Sequence, residues 1–137
     1  MGHARFSSGR YDFSLSDFIK LIKSKGLDLN KIIINPGFYS NSLTQDFKQI
    51  NKLNAASIVM IDCDLYESTS LVLEFITDLI QEGTILIFDD WFAYRGSPLK
   101  GEQRAVSEWI RKNPHIQLSA FAQDGPTQRA FIVHLAV

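Results

Sequence analysis

The sequence holds a single cysteine, Cys63, among 137 residues, which excludes an internal disulfide and fits a reducing compartment. Neither sign of charge dominates: 14 basic side chains against 15 acidic ones leave a net charge of −1. That balance excludes nucleic-acid binding through a broad basic face, and no block of like charge marks an interaction tail. No apolar run approaches the roughly 20 residues of a membrane-spanning helix. The opening MGHARFSSGRYD lacks the apolar core of a signal peptide, so a cytoplasmic location is expected, with no membrane or nucleic-acid partner. What is present is 45% hydrophobic and 21% charged residues, a balance that buries a core and reads as one domain over 1–137.

Helical and strand patterns alternate along the chain. FSLSDFIKLIKSKG places Leu15, Phe18, Ile19 and Ile22 at helical spacing, with Ser14 and Asp17 as a capping-box-like start and Gly26 as the stop. KIIINPGFY is a β-branched run ended by Pro36-Gly37, read as a buried strand. NSLTQDFKQINKLN reads as one weaker amphipathic helix, and SIVMIDCD as another buried strand. ESTSLVLEFITDLIQEG predicts a helix with Leu71, Phe75 and Leu79 toward the core and Gly83 just past its end. TILIFDDW is the next strand, followed by a loop and the helix EQRAVSEWIRKN, stopped by Pro114. Two strands around Asp124-Gly125-Pro126 predict an antiparallel hairpin at the end. Apolar strands separated by helices imply an α/β fold with a mostly parallel sheet, and ligands in such sheets sit beyond the carboxyl ends of the strands.

Those ends are where the acids gather. Asp62 closes one strand and Asp89-Asp90 the next, with Asp64 and Glu67 close by. If the two strands are neighbours, their acids share one rim, with the strands about 5 Å apart. Asp64, Ser68 or Asp90 as a helix cap is the plainer alternative for any one residue. Capping leaves the set of five unexplained, because crowded carboxylates raise one another's pKa unless a cation neutralises them. All-oxygen ligands suit Mg²⁺ or Ca²⁺. Alternation along the strand turns Cys63 away from Asp62, as a small buried hydrophobe. Two phosphotransfer schemes built on strand-end acids fit poorly. One wants a lysine between Asp64 and Asp89, where none stands, and the other wants the acid pair first.

The strings IDCDLYEST, GTILIFDDW and GEQRAVSEWI, with NPGFYSNSL upstream, resemble the macrocin and mycinamicin O-methyltransferase family over about residues 13–113. The resemblance implies a class I, Rossmann-like, three-layer methyltransferase sheet that uses S-adenosylmethionine to methylate sugar hydroxyls in antibiotic biosynthesis. It also implies a Mg²⁺ held by Asp62, Asp89 and Asp90. A cation that binds vicinal hydroxyls lowers the pKa of one and aims it, and Asp62 is the carboxylate expected to take the proton. Tyr66 and Trp91 are candidate walls of the substrate pocket, although aromatics beside strand ends are as often core. Glu102 opens a helix after Gly101, where an acid favours the helix dipole; ligand contact is the lesser reading. His134 lies mid-strand, as a structural residue.

The family grips its cofactor with a Gly-rich turn after the first strand. The glycines here, at 2, 9, 26, 37, 83, 96, 101 and 125, include no G-x-G pair. The resemblance therefore implies that the chain begins around the family's third strand, with strands one and two missing, and that S-adenosylmethionine binds it weakly or not at all. SIVMIDCD would then lie at an exposed edge. Two repairs are expected: KIIINPG slides beside it through a strand–helix–strand crossover, and copies of the chain associate into a homo-oligomer. The expected small-molecule partner is a hydroxyl acceptor. The rival reading is a non-catalytic remnant that self-associates and binds no cofactor.

Overall fold

The computed structural model describes residues 14–136; the opening MGHARFSSGRYD lies outside them. Two compact units divide the chain, one ending at Ser42 and one beginning at Leu43. In the first, helix α1 spans Leu15–Ser24, and the Ser14 side chain accepts the Asp17 N–H as its N-cap. Ile22 is its buried residue, while Leu15 and Phe18 are exposed. Gly26 follows at φ +73°, a left-handed position that ends the helix.

The expected strand in KIIINPGFY does not form. Asp28 accepts the Asn30 N–H and caps a 3₁₀ turn over Leu29–Lys31. Residues 32–36 run on without a ladder partner among the described residues. β-branched residues favour an extended backbone, but a strand exists only where another strand pairs with it. The expected slide of this segment beside SIVMIDCD is therefore not realised. Helix α2, Tyr39–Ser42, closes this unit.

The single helix expected over NSLTQDFKQINKLN is also broken. Thr44 accepts the Phe47 N–H at 3.1 Å and starts a new helix, α3, over Gln45–Ile50. The larger unit then runs through β1 (Ala56–Ile61), α4 (Tyr66–Ile76), β2 (Ile80–Phe88), α5 (Ala93–Gly96), α6 (Gly101–Lys112), β3 (Ile116–Ala122) and β4 (Arg129–Leu135). The sheet order is β1-β2-β4-β3, with β1 and β2 parallel and the β2–β4 and β3–β4 pairs antiparallel. The α/β class and the C-terminal hairpin are as the sequence implies.

Helix α4 stops seven residues before Gly83 (83 − 76 = 7), not beside it. The chain must turn early because Ile80 already pairs with Ala56, and the register then shifts before Ile85 meets Ile58. Thr84 closes this irregular stretch: its hydroxyl donates to the Ala56 carbonyl at 2.6 Å and accepts the Gln81 N–H at 3.0 Å. Helices α4 and α6 cover one sheet face, where Leu73, Ile76, Ala105, Val106 and Trp109 pack on Ile61, Leu86, Phe88 and Val133. Leu71, expected in the core, is 37% exposed; Thr69 and Leu73 take the buried side instead. On the other face Ile58 and Met60 of β1 stay 62% and 58% exposed. No helix of the described residues is long and apolar enough to cross a membrane.

Candidate metal centre

Parallel pairing of β1 and β2 brings the strand-end acids together. Ile61 lies opposite Phe88, so Asp62 and Asp89 are the next residues on two adjacent strands. One carboxylate oxygen from each of Asp62, Asp89 and Asp90 lies within 4.8 Å of the other two. The donor set is all oxygen, which suits a hard divalent cation.

The electrostatics are those of crowded, partly buried acids. Burial, then the nearby Asp89 and Asp64 charges, hold Asp62 above the usual carboxylate range. Asp90 is pushed up to about 7, first by burial and then by the hydrogen bond and charge of Asp64. Glu102, only 1% exposed, is pushed up to about 8 by burial and then by Asp90. A bound dication reverses this logic by favouring the ionised forms.

The turn that carries the acid pair is held from three sides. The Asp89 N–H donates to the Ile61 carbonyl. Glu102 Oε2 accepts the Asp90 N–H at 3.1 Å, and the Gln103 side-chain amide donates to the Trp91 carbonyl at 2.6 Å. From the hairpin, the Gln128 amide donates to Asp89 Oδ1, and the Thr127 carbonyl accepts the Phe92 N–H. Asp64 sits at φ +53° in a tight turn, where the Leu65 N–H reaches back to the Cys63 carbonyl. Beside it, a Cβ on Gly101 would come within 2.8 Å of the Tyr94 ring, and φ there is +54°, so only glycine fits.

The other singled-out residues lie as follows. Tyr66 starts α4; its hydroxyl donates to Glu108 Oε2 at 2.6 Å and the Arg104 guanidinium stacks 4.0 Å from its ring centroid. Trp91 packs on Phe88 and Phe131, with ring centroids 5.2 and 4.7 Å away. The structure thus brings the three aspartates together and gives both aromatics protein partners. Glu67 is exposed, and Cys63 packs against the core with its thiol 3.5 Å from the Thr69 hydroxyl. His134 Nδ1 meets Glu82 Oε1 at 2.9 Å, a structural pairing. Gln103 and Gln128 went unmarked in the sequence. A glutamine in a first helical turn or a hairpin turn carries no signal of its own.

The fold has known counterparts. The structure superposes on the O-methyltransferase NovP with a TM-score of 0.70 at 19% identity, covering 87% of this chain and 44% of that one. An O-methyltransferase from Bacillus cereus, solved with SAH, matches at a TM-score of 0.59 and 16% identity, covering 85% and 57%. At these identities the likeness is one of fold, and the chain spans about half the length of these relatives. No curated protein matches the sequence significantly. The family model of Macrocin-O-methyltransferase (TylF) matches residues 14–117, three quarters of the chain and all three aspartates. The chain belongs to the macrocin O-methyltransferase family.

Proposed function

We propose that this chain forms the metal- and acceptor-binding side of an O-methyltransferase. The reaction is methyl transfer from S-adenosylmethionine to a hydroxyl of a sugar or similar small molecule. The carrying observation is the convergence of Asp62, Asp89 and Asp90 within 4.8 Å, beyond the carboxyl ends of adjacent parallel strands. Family membership and the SAH-bound Bacillus cereus relative support the cofactor class. A single unpaired thiol suits a cytoplasmic enzyme.

The three aspartates would hold Mg²⁺, which when bound supplies Lewis-acid polarisation of an acceptor hydroxyl. The residues supply the rest. Asp62, the exposed member of the cluster, accepts the acceptor's hydroxyl proton. Asp89 and Asp90, half-buried and fixed by their neighbours, hold the centre in place. Trp91, next to Asp90, and Tyr66, at the start of α4, are proposed to wall the acceptor side; both are half-buried. The Gly-rich cofactor turn is not among these residues, so none is assigned to S-adenosylmethionine.

Isothermal titration of the 137-residue chain with Mg²⁺ or Mn²⁺ tests this reading, with Asp89→Asn and Asp90→Asn alongside. Saturable binding to the unmodified chain, weakened severalfold or more in both variants, supports it. Identical titrations for all three proteins would defeat it.

One observation favours a second reading, a non-catalytic domain that self-associates. β1 ends the sheet order, and Ile58 and Met60 on it are exposed. A second copy pairing along that edge would satisfy its backbone groups and cover both side chains. Sedimentation velocity decides: a dimer dispersed by Met60→Lys supports association, and a monomer at high concentration removes it.

A further inference from the structure

We infer that Glu102 is a positioning residue for the acid cluster: from the first turn of α6 it fixes the Asp90 backbone and so sets where the Asp90 carboxylate points. The inference rests on the metal-centre reading above and adds a residue outside the converging triad. Beyond Phe88, the β1–β2 ladder continues only through the Asp89 N–H. The Asp90 N–H is taken by Glu102 Oε2 instead. The neighbouring Gln103 donates to the Trp91 carbonyl, so two consecutive side chains of α6 grip two consecutive residues of the turn. The helix is itself anchored by Ala105, Val106 and Trp109 in the core, which makes it a rigid mount.

Packing does not explain an acid here. Glu102 is 1% exposed, and its second oxygen, Oε1, has no hydrogen-bond partner among the described residues. Buried polar atoms are normally satisfied, so an unsatisfied one calls for a role beyond filling space. Leucine or methionine would fill the same volume without that cost. Neither would accept the Asp90 N–H. Residues that orient metal ligands in this way typically carry 10–100-fold in metal affinity.

Mn²⁺ binding to the 137-residue chain, read by electron paramagnetic resonance, tests the role in Glu102→Gln and Glu102→Met. Glutamine keeps an acceptor for the Asp90 N–H, and its Kd should stay within about threefold of the unmodified chain. Methionine removes the acceptor; its Kd should rise about tenfold while its thermal midpoint holds. Unchanged Mn²⁺ affinity in Glu102→Met overturns the role, and so does equal weakening in both variants. Asp89→Asn is the control. If it abolishes Mn²⁺ binding and Glu102→Met does not weaken it, the metal centre stands and only the positioning role falls. If the unmodified chain binds no Mn²⁺ at millimolar concentration, the metal-centre reading fails and takes this role with it. Should Glu102→Met not fold, amide exchange in the unmodified protein decides the matter. A protected Asp90 amide supports the role, and one exchanging as fast as an unbonded loop amide overturns it.

Discussion

The Asp89 N–H donates to the Ile61 carbonyl at 3.0 Å, carrying the parallel ladder one step past the last paired residues of β1 and β2. Asp62 and Asp89 therefore leave neighbouring strands at the same height, and their carboxylates cannot avoid one another. Asp89→Asn preserves size and the hydrogen-bonded turn but removes one charge. Mg²⁺ affinity should fall severalfold or more, measured by calorimetry at pH 8. Undiminished affinity would place the ion elsewhere.

The same crowding predicts how stability follows pH. Asp62, Asp90 and Glu102 all sit above the usual carboxylate range, Asp90 at about 7 and Glu102 at about 8, chiefly through burial. Between about pH 5 and 8, above the range where the lowered acids Asp17, Glu82 and Glu108 titrate, the folded protein therefore holds protons that the unfolded chain has released. Stability falls as pH rises through that window. In EDTA the thermal midpoint should drop by several degrees, and Asp90→Asn should reduce the slope. Mg²⁺ should restore the midpoint most at the alkaline end, where the cation meets no competing protons. A midpoint that climbs from pH 5 to 8 without metal would contradict the raised acids.

Trp109 ties α6 to α4. It is 5% exposed, and its indole N–H donates to the Thr77 hydroxyl at 2.9 Å. Trp109→Ala should cost about 3–5 kcal/mol by denaturant titration. Trp109→Phe keeps most of the packing and loses the hydrogen bond, so about 1–2 kcal/mol is expected. Equal losses would mean that packing contributes little.

Cofactor affinity is a separate matter. With no G-x-G pair in the sequence, calorimetric titration of this chain with S-adenosylmethionine should give weak binding or none. Micromolar binding would mean that the chain grips the cofactor by some other route.

Much of the site was readable from sequence because its signals are local. An apolar run that ends in Asp-Asp marks both a strand and its rim. In α6, Ala105, Val106 and Trp109 are buried while Arg104, Ser107 and Arg111 are exposed, as helical spacing requires. Unread features depend on partners distant in sequence. Residues 32–34 have the β-branched side chains of a strand, yet they join no ladder among the described residues. The end of α4 is set by where Ile80 meets Ala56, which no residue between them announces. Gln128 reaches Asp89 only because β4 pairs with β2.

Cys63, one residue past Asp62, has its thiol pushed up to about 11 by burial. A thiol so rarely ionised near neutral pH reacts sluggishly with alkylating reagents. Since it is the sequence's sole cysteine, the unaltered chain carries a built-in tamper seal. Labelling should be slow near neutral pH and quicken as pH rises toward the thiol's pKa, and a fluorophore attached to a cysteine introduced elsewhere on the surface would meet little background at neutral pH.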